Sequence, residues 1–134
     1  MRTLSISIKT SRRDEMIDIT SQIAALLPEL GLADGVLHIF SPHTTAGITI
    51  NEVYDPDVAR DMLYCLDKLV RHDDPNYCHG EGNSAAHIKT SLMGPGVLAP
   101  VENGKIKLGN WQGIFFCEFD GPRHRTVLVR AVSA

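Results

Sequence analysis

The sequence predicts an α+β fold built on antiparallel sheet, either a β-sandwich or one strongly curved sheet, with two main helices and one short helix. Three observations carry this. Short segments alternate apolar and polar residues with period two, as half-buried strands do; Leu4, Ile6 and Ile8 are the first example. Two longer stretches place apolar residues at helical spacing. No strand–helix–strand rhythm of a parallel sheet recurs, so the strands pair through hairpins and longer loops.

Taken in order, the first strand carries Leu4, Ile6 and Ile8, and residues 11–15 turn the chain. Residues 16–19 return, and Thr20 is placed to cap a helix whose Ile23, Leu26, Leu27 and Leu30 share a face, with Gly31 ending it. Two strands follow at 35–41 and 46–51, joined by Pro42-His43-Thr44-Thr45. Asp55-Pro56 is a strong helix start, a capping carboxylate before a proline whose missing N–H costs nothing there. Val58, Met62, Cys65, Leu66 and Leu69 then predict the buried stripe of that helix. A short helix at 84–92 is expected to be capped by Asn83 and to bury Ala85, Ala86, Ile88 and Leu92. The C-terminal third is a meander: a strand at 97–101, a tight Asn103-Gly104 hairpin into 106–108, and strands at 113–119 and 126–132 around the turn 120–123.

The length of 134 residues fits a single domain spanning 1–134, large enough to fold without disulfides or a structural metal. The formal charge of −3 supplies no basic field, so nucleic acid is not an expected partner. No apolar run reaches the eighteen or so residues of a membrane span, so no membrane association is expected either. Cys65, Cys78 and Cys117 are odd in number with no Cys-x-x-Cys pair, and the first residues alternate instead of forming a signal peptide's apolar block. A reduced, cytoplasmic protein fits these features best.

The densest chemistry is His79-Gly-Glu81-Gly-Asn-Ser-Ala-Ala-His87, two imidazoles and a carboxylate within nine residues. Gly80 and Gly82 relax the backbone between the polar groups, so His79 and Glu81 can turn toward a common point near His87 at the helix start. Imidazole and carboxylate are the ligands of zinc and related divalent ions, and His43 from the strand link is the preferred third ligand. The alternative is a hydrogen-bonded network of histidines in a polar core. Glu52, ending its strand without a local structural role, is a candidate acid or base, and so is Glu81. Arg123 and Arg125, two guanidiniums near one sheet end, could with Lys89 and Ser91 receive phosphate oxygens, although a solvated charge cluster is the simpler reading of Arg123-His124-Arg125. Glu118 falls in a strand that should be largely buried, which calls for Arg125 or Arg130 as its partner.

The runs Pro42-His-Thr-Thr-Ala-Gly47, Ile50-Asn-Glu-x-x-Asp-Pro56, His79-x-Glu-Gly-Asn-x-x-x-His-Ile-Lys89 and Leu108-Gly-Asn-Trp-Gln-Gly-Ile114, continuing to Glu118 and Arg123, resemble the YjbQ-like family over nearly the whole chain. The resemblance implies a small α+β subunit with an antiparallel β-sandwich, assembled as a homotrimer, with a polar pocket built from the His-bearing segments. It also implies a secondary thiamine-phosphate synthase activity, joining an aminopyrimidine diphosphate to a thiazole phosphate. Carried over by position, it marks Asn51 and Gln112 as binding residues beside His43, Glu52, His79, Glu81, His87 and Arg123. Gly96 and Asn110 depart from the family pattern, where hydroxyl residues are commoner. The expectation is an enzyme on a small phosphorylated substrate: His43, His79 and His87 hold a divalent metal (zinc or magnesium), Lys89, Asn51 and Gln112 bind substrate or cofactor, and Glu52, Glu81 and Arg123 do the chemistry. A trimeric protein that binds metal or a small ligand without turnover is the alternative.

Overall fold

The computed structural model describes residues 2–132. Eight strands and four helical segments follow in the order β1 (Thr3–Lys9), β2 (Glu15–Asp18), α1 (Thr20–Ala24), α2 (Leu27–Leu30), β3 (Gly35–Phe40), β4 (Ala46–Glu52), α3 (Pro56–Leu69), α4 (Ser84–Met93), β5 (Gly96–Glu102), β6 (Lys105–Ile106), β7 (Gln112–Glu118) and β8 (His124–Val132). They form two sheets, β1-β8-β3-β5-β6 and β2-β7-β4, every pairing antiparallel. The α+β class built on antiparallel sheet is the architecture observed, and of the two arrangements the pattern allowed, two packed sheets are the one formed.

Strand parity places the core. Leu37 and Ile39 of β3, Ala99 and Val101 of β5, and Val127 and Val129 of β8 face Ala46 and Ile48 of β4 and Ile114 and Phe116 of β7. The residues between them on β7, Phe115 and Cys117, point the other way and meet Ala86 of α4 with Ala59, Leu63 and Leu66 of α3. Helices therefore cover the smaller sheet. The outer face of the larger sheet leaves Leu98 and Val132 64% and 49% exposed. Burial also pushes the Cys117 thiol up to about 12, so it packs as an apolar group and has no thiolate chemistry at neutral pH.

Several local expectations are corrected. The helix at 20–30 is two short pieces, because Pro28 has no N–H to donate to the Ala24 carbonyl and its ring crowds that carbonyl. Thr20 does not cap it: its hydroxyl accepts the Ile114 N–H at 2.8 Å and donates to Asp18. Gly31 does end α2, in the left-handed region at φ 63°. Asp55 caps α3 by accepting the Asp57 N–H at 2.9 Å. The inward stripe of α3 runs through Ala59, Leu63 and Leu66, one residue round from the expected one, and Cys65 and Leu69 are exposed.

The stripe of α4 departs furthest from expectation. Ile88 and Leu92 are exposed, and Lys89 is buried to 2%. A buried ammonium is tolerable only when paired. Lys89 Nζ lies 2.6 Å from Asp14 in the β1–β2 turn and 3.0 Å from Asp67 at the end of α3, with the Phe119 ring at 5.9 Å. This pair ties three separate elements together, and it holds the Asp67 carboxyl below its usual range.

Candidate functional site

Three connections meet at one end of the sandwich: the β3–β4 link with His43, the residues before α4 with His79 and Glu81, and the β7–β8 turn with Arg123. Together with His87 they line one cavity of about 450 Å³, with Arg125 and Thr45 also in its wall. Five of the nine sequence-derived site residues, His43, His79, Glu81, His87 and Arg123, are thus brought together.

His43 is held on both sides. Its backbone N–H donates to Ser41 Oγ at 3.3 Å, and that hydroxyl donates to the Ala46 carbonyl at 2.6 Å, which pins the link into a tight bend. Strand β3 ends at Phe40, opposite Leu128 of β8, so the Thr126 amide runs past the end of the ladder. His43 Nε2 takes the missing strand's place, 3.0 Å from the Thr126 amide nitrogen and 3.1 Å from the Thr126 carbonyl oxygen, so it accepts from the one or donates to the other according to the tautomer. Burial, followed by the neighbouring Arg125 guanidinium, holds the His43 pKa below the usual histidine value.

His79 and His87 meet edge to face, with ring centroids 5.3 Å apart and planes at 81°. A turn closed by the Gly82 N–H to the His79 carbonyl, at 3.2 Å, sets the first ring. Gly82 adopts φ 72°, a conformation that a side chain would strain. Glu81 Oε2 stands 4.0 Å from His79 Nε2, on the exposed rim. Asn83 occupies the cap position of α4, yet its side chain does not cap the helix. Its Nδ2 donates instead to Asp120 Oδ2 at 2.9 Å, and the same oxygen accepts from Arg123 Nη2 at 2.8 Å. Arg123 also donates from Nε to the Asp120 carbonyl at 2.8 Å, so its head is fixed over the turn.

At the floor of the cavity, Glu118 is fully buried and Arg125 is 7% exposed. Arg125 Nε donates to Glu118 Oε1 at 2.8 Å, and Nη2 reaches Glu118 Oε2 and the Thr45 hydroxyl. The Thr10 hydroxyl and the Phe119 and Asp120 amides complete the carboxylate's partners. Of the two arginines that the sequence offers Glu118, Arg125 is the one used.

The other four sequence-derived residues lie elsewhere. Glu52 ends β4 at the strand terminus away from His43, about 20 Å along the strand at roughly 3.3 Å per residue. It lines a separate cavity of about 480 Å³ with Asp18 and Asp55 and accepts the Asp55 N–H at 3.2 Å. Asn51 Oδ1 accepts the Glu52 N–H, and Gln112, opposite Glu52 in the ladder, accepts the Gly109 N–H. Both amides are used in local turns. Lys89 is two residues from His87, hence on the opposite side of α4, and is committed to Asp14 and Asp67.

In this arrangement His43, His79 and His87 line one cavity without being gathered as a ligand set. Among the described residues, no three His, Cys, Asp or Glu side chains are grouped so as to hold an ion. His43 has given Nε2 to Thr126, and the two remaining rings face edge to plane instead of converging on a point. Sequence reasoning offered Arg125 both as a partner for Glu118 and as a phosphate-receiving guanidinium beside Arg123, and missed Asp120. The signal for Arg125 was its parity on β8, which puts it with Val127 and Val129 on the inward face.

The model of the "UPF0047 protein YjbQ-like" family matches residues 4–134. The UPF0047 protein YugU of Bacillus subtilis is 52% identical over 126 residues, covering 94% of this chain and 96% of the relative. A UPF0047 protein of Methanocaldococcus jannaschii is 49% identical over 125 residues, covering 93% and 90%. Among solved structures, an uncharacterized conserved protein of the YjbQ/UPF0047 family from Clostridium acetobutylicum is similar with TM-score 0.93 and 54% identity, over 96% of this chain and 99% of that one. A hypothetical protein from Aeropyrum pernix also reaches TM-score 0.93, at 34% identity over the full length of both.

Proposed function

The chain belongs to the YjbQ-like UPF0047 family, and from that premise we propose that its histidine-lined cavity is the active site of an enzyme acting on a small phosphorylated substrate. The observation that carries this is the convergence of His43, His79 and His87 with Arg123 and Arg125, from separate segments, on one cavity of about 450 Å³. Guanidinium is the side chain that best matches phosphate oxygens, and imidazole is the one that exchanges protons near neutrality.

The reaction we propose is the one its family resemblance implies. The ring nitrogen of a thiazole phosphate bonds to the methylene carbon of an aminopyrimidine diphosphate; the carbon–oxygen bond breaks, and pyrophosphate leaves with the electron pair. In that scheme Arg123 and Arg125 stabilise the charge gathering on the leaving group, and a histidine supplies a proton to it. No step of that scheme is routed through a divalent ion. Steady-state assay of the highly purified protein with the two phosphorylated partners tests the scheme: pyrophosphate release that depends on both is the expected result. Binding of pyrophosphate with no turnover of any phosphate ester or diphosphate would replace it with the second reading, a ligand-binding module. The engagement of Arg123 with Asp120 favours that second reading.

We also propose a homotrimer, supported by the apolar outer face of the larger sheet around the exposed Leu98 and Val132. Light scattering at micromolar concentration checks it, and a monomer mass there rejects it.

A further inference from the structure

We infer that Arg125, beneath the histidines, is the anchor for the ligand's oxyanion, and that the anion enters the cavity first, with the rest of the ligand trailing past His79 and His87 toward solvent. This rests on the proposed phosphate-binding role of the cavity and adds which residue holds the anion and which way the ligand points.

A guanidinium has five N–H donors. In Arg125 the Nε–H goes to Glu118 Oε1, and the two on Nη2 go to Glu118 Oε2 and Thr45 Oγ1. Both donors of Nη1 are left over, with no acceptor among the described residues. Nη1 is not one of the enclosed polar atoms without a partner, so it reaches open space. The side chain is otherwise buried and forms part of the cavity wall, and the cavity is the space that this edge opens on. The unused edge of a fixed, buried cation is a preorganised oxyanion receptor: Glu118 and Thr45 have already ordered it, so binding loses no side-chain freedom there.

The surroundings agree. His43 lines the same cavity, its ring held against Thr126 through Nε2. The nearby carboxylates are accounted for. Glu118 is paired with Arg125, Asp120 Oδ2 accepts from both Asn83 and Arg123, and Glu81 sits on the rim with a side chain 75% exposed. Arg123 is half exposed at the mouth, so it suits the outer oxygens of a larger anion such as pyrophosphate. Glu118 is a positioning residue, acting on the ligand only through Arg125.

Calorimetric titration of the full chain with pyrophosphate, and separately with inorganic phosphate, tests this. Arg125→Lys keeps a cation for Glu118, but the three donors of an ammonium are used up by Glu118 and Thr45, and the second edge is gone. Its pyrophosphate affinity should fall at least tenfold, with a far-UV spectrum like that of the parent. Should Arg125→Lys not fold, the double variant Arg125→Met/Glu118→Gln removes both charges together and should show the same loss. A folded variant of either kind that binds pyrophosphate within threefold of the parent overturns the inference and leaves the proposed function standing. A parent chain that binds neither anion overturns both. Fold-matched loss in the variant, with phosphate bound more weakly than pyrophosphate by the parent, is the result that supports an inner anchor with a second contact at the mouth.

Discussion

Replacing Arg125 by alanine should cost about 3–5 kcal/mol of folding stability, a large share of the roughly 5–15 kcal/mol that holds a domain of this size. The cost comes from what is left behind. Glu118 is fully buried between the sheets, and without the guanidinium its carboxylate keeps only the Thr10 hydroxyl and two amides. Phe116 and Val127, on the same inward parity, are closed to solvent, so water could reach the carboxylate only by way of the cavity that Arg125 lines. Urea titration at pH 7 should show the midpoint falling while the slope stays near that of the parent, which marks a loss of stability without a change in the surface exposed. A loss below about 1 kcal/mol would mean that water or another cation reaches Glu118, contrary to its burial.

The second large effect is on turnover. Once the substrate is in hand, His79→Ala and His87→Ala should each lower the rate by about 10²–10⁴, the usual contribution of a placed acid or base. Stability should barely change, because the His79 side chain is 45% exposed and His87 is only half-buried in the cavity wall. Glu52→Gln serves as the internal comparison and should leave the rate within a few-fold, since Glu52 lines a different cavity at the far end of β4. If Glu52→Gln abolishes turnover and both histidine variants keep it, the active site is the acidic cavity beside α3 and the histidine cavity is not the reacting centre.

The contrast between Glu52 and Glu118 shows what could be read in advance. Period-two alternation tells which face of a sheet a residue occupies, so Glu118 was legible as a buried carboxylate in need of a cation. The same alternation says nothing about which end of a strand reaches a site. Glu52 and His43 flank one strand, close in sequence and about 20 Å apart in space. Lys89 escaped for another reason. Its burial depends on Asp14 and Asp67, which arrive from 75 and 22 residues away in sequence, and no local pattern announces a partner at that range. The histidines fared better because they sit in or beside connections at one end of a sandwich, where loops from distant parts of the chain converge. Their shared cavity was legible; the orientation of the His43 ring, held against Thr126 of β8, was not.

That strand has a consequence for synthesis of the protein. β8 follows the other seven strands in sequence, yet it lies inside the larger sheet, bonded to β1 on one side and β3 on the other. Until the ribosome has delivered it, β1 has no neighbour and β3 has an open edge, both of them templates for unintended pairing. Loops this long also make such a closure slow. The same late arrival brings Arg125 to Glu118 and Thr126 to His43, so the nascent chain has neither its buried cation nor its complete histidine-lined cavity until the sandwich closes, and a chain cut short before β8 carries no half-built version of it.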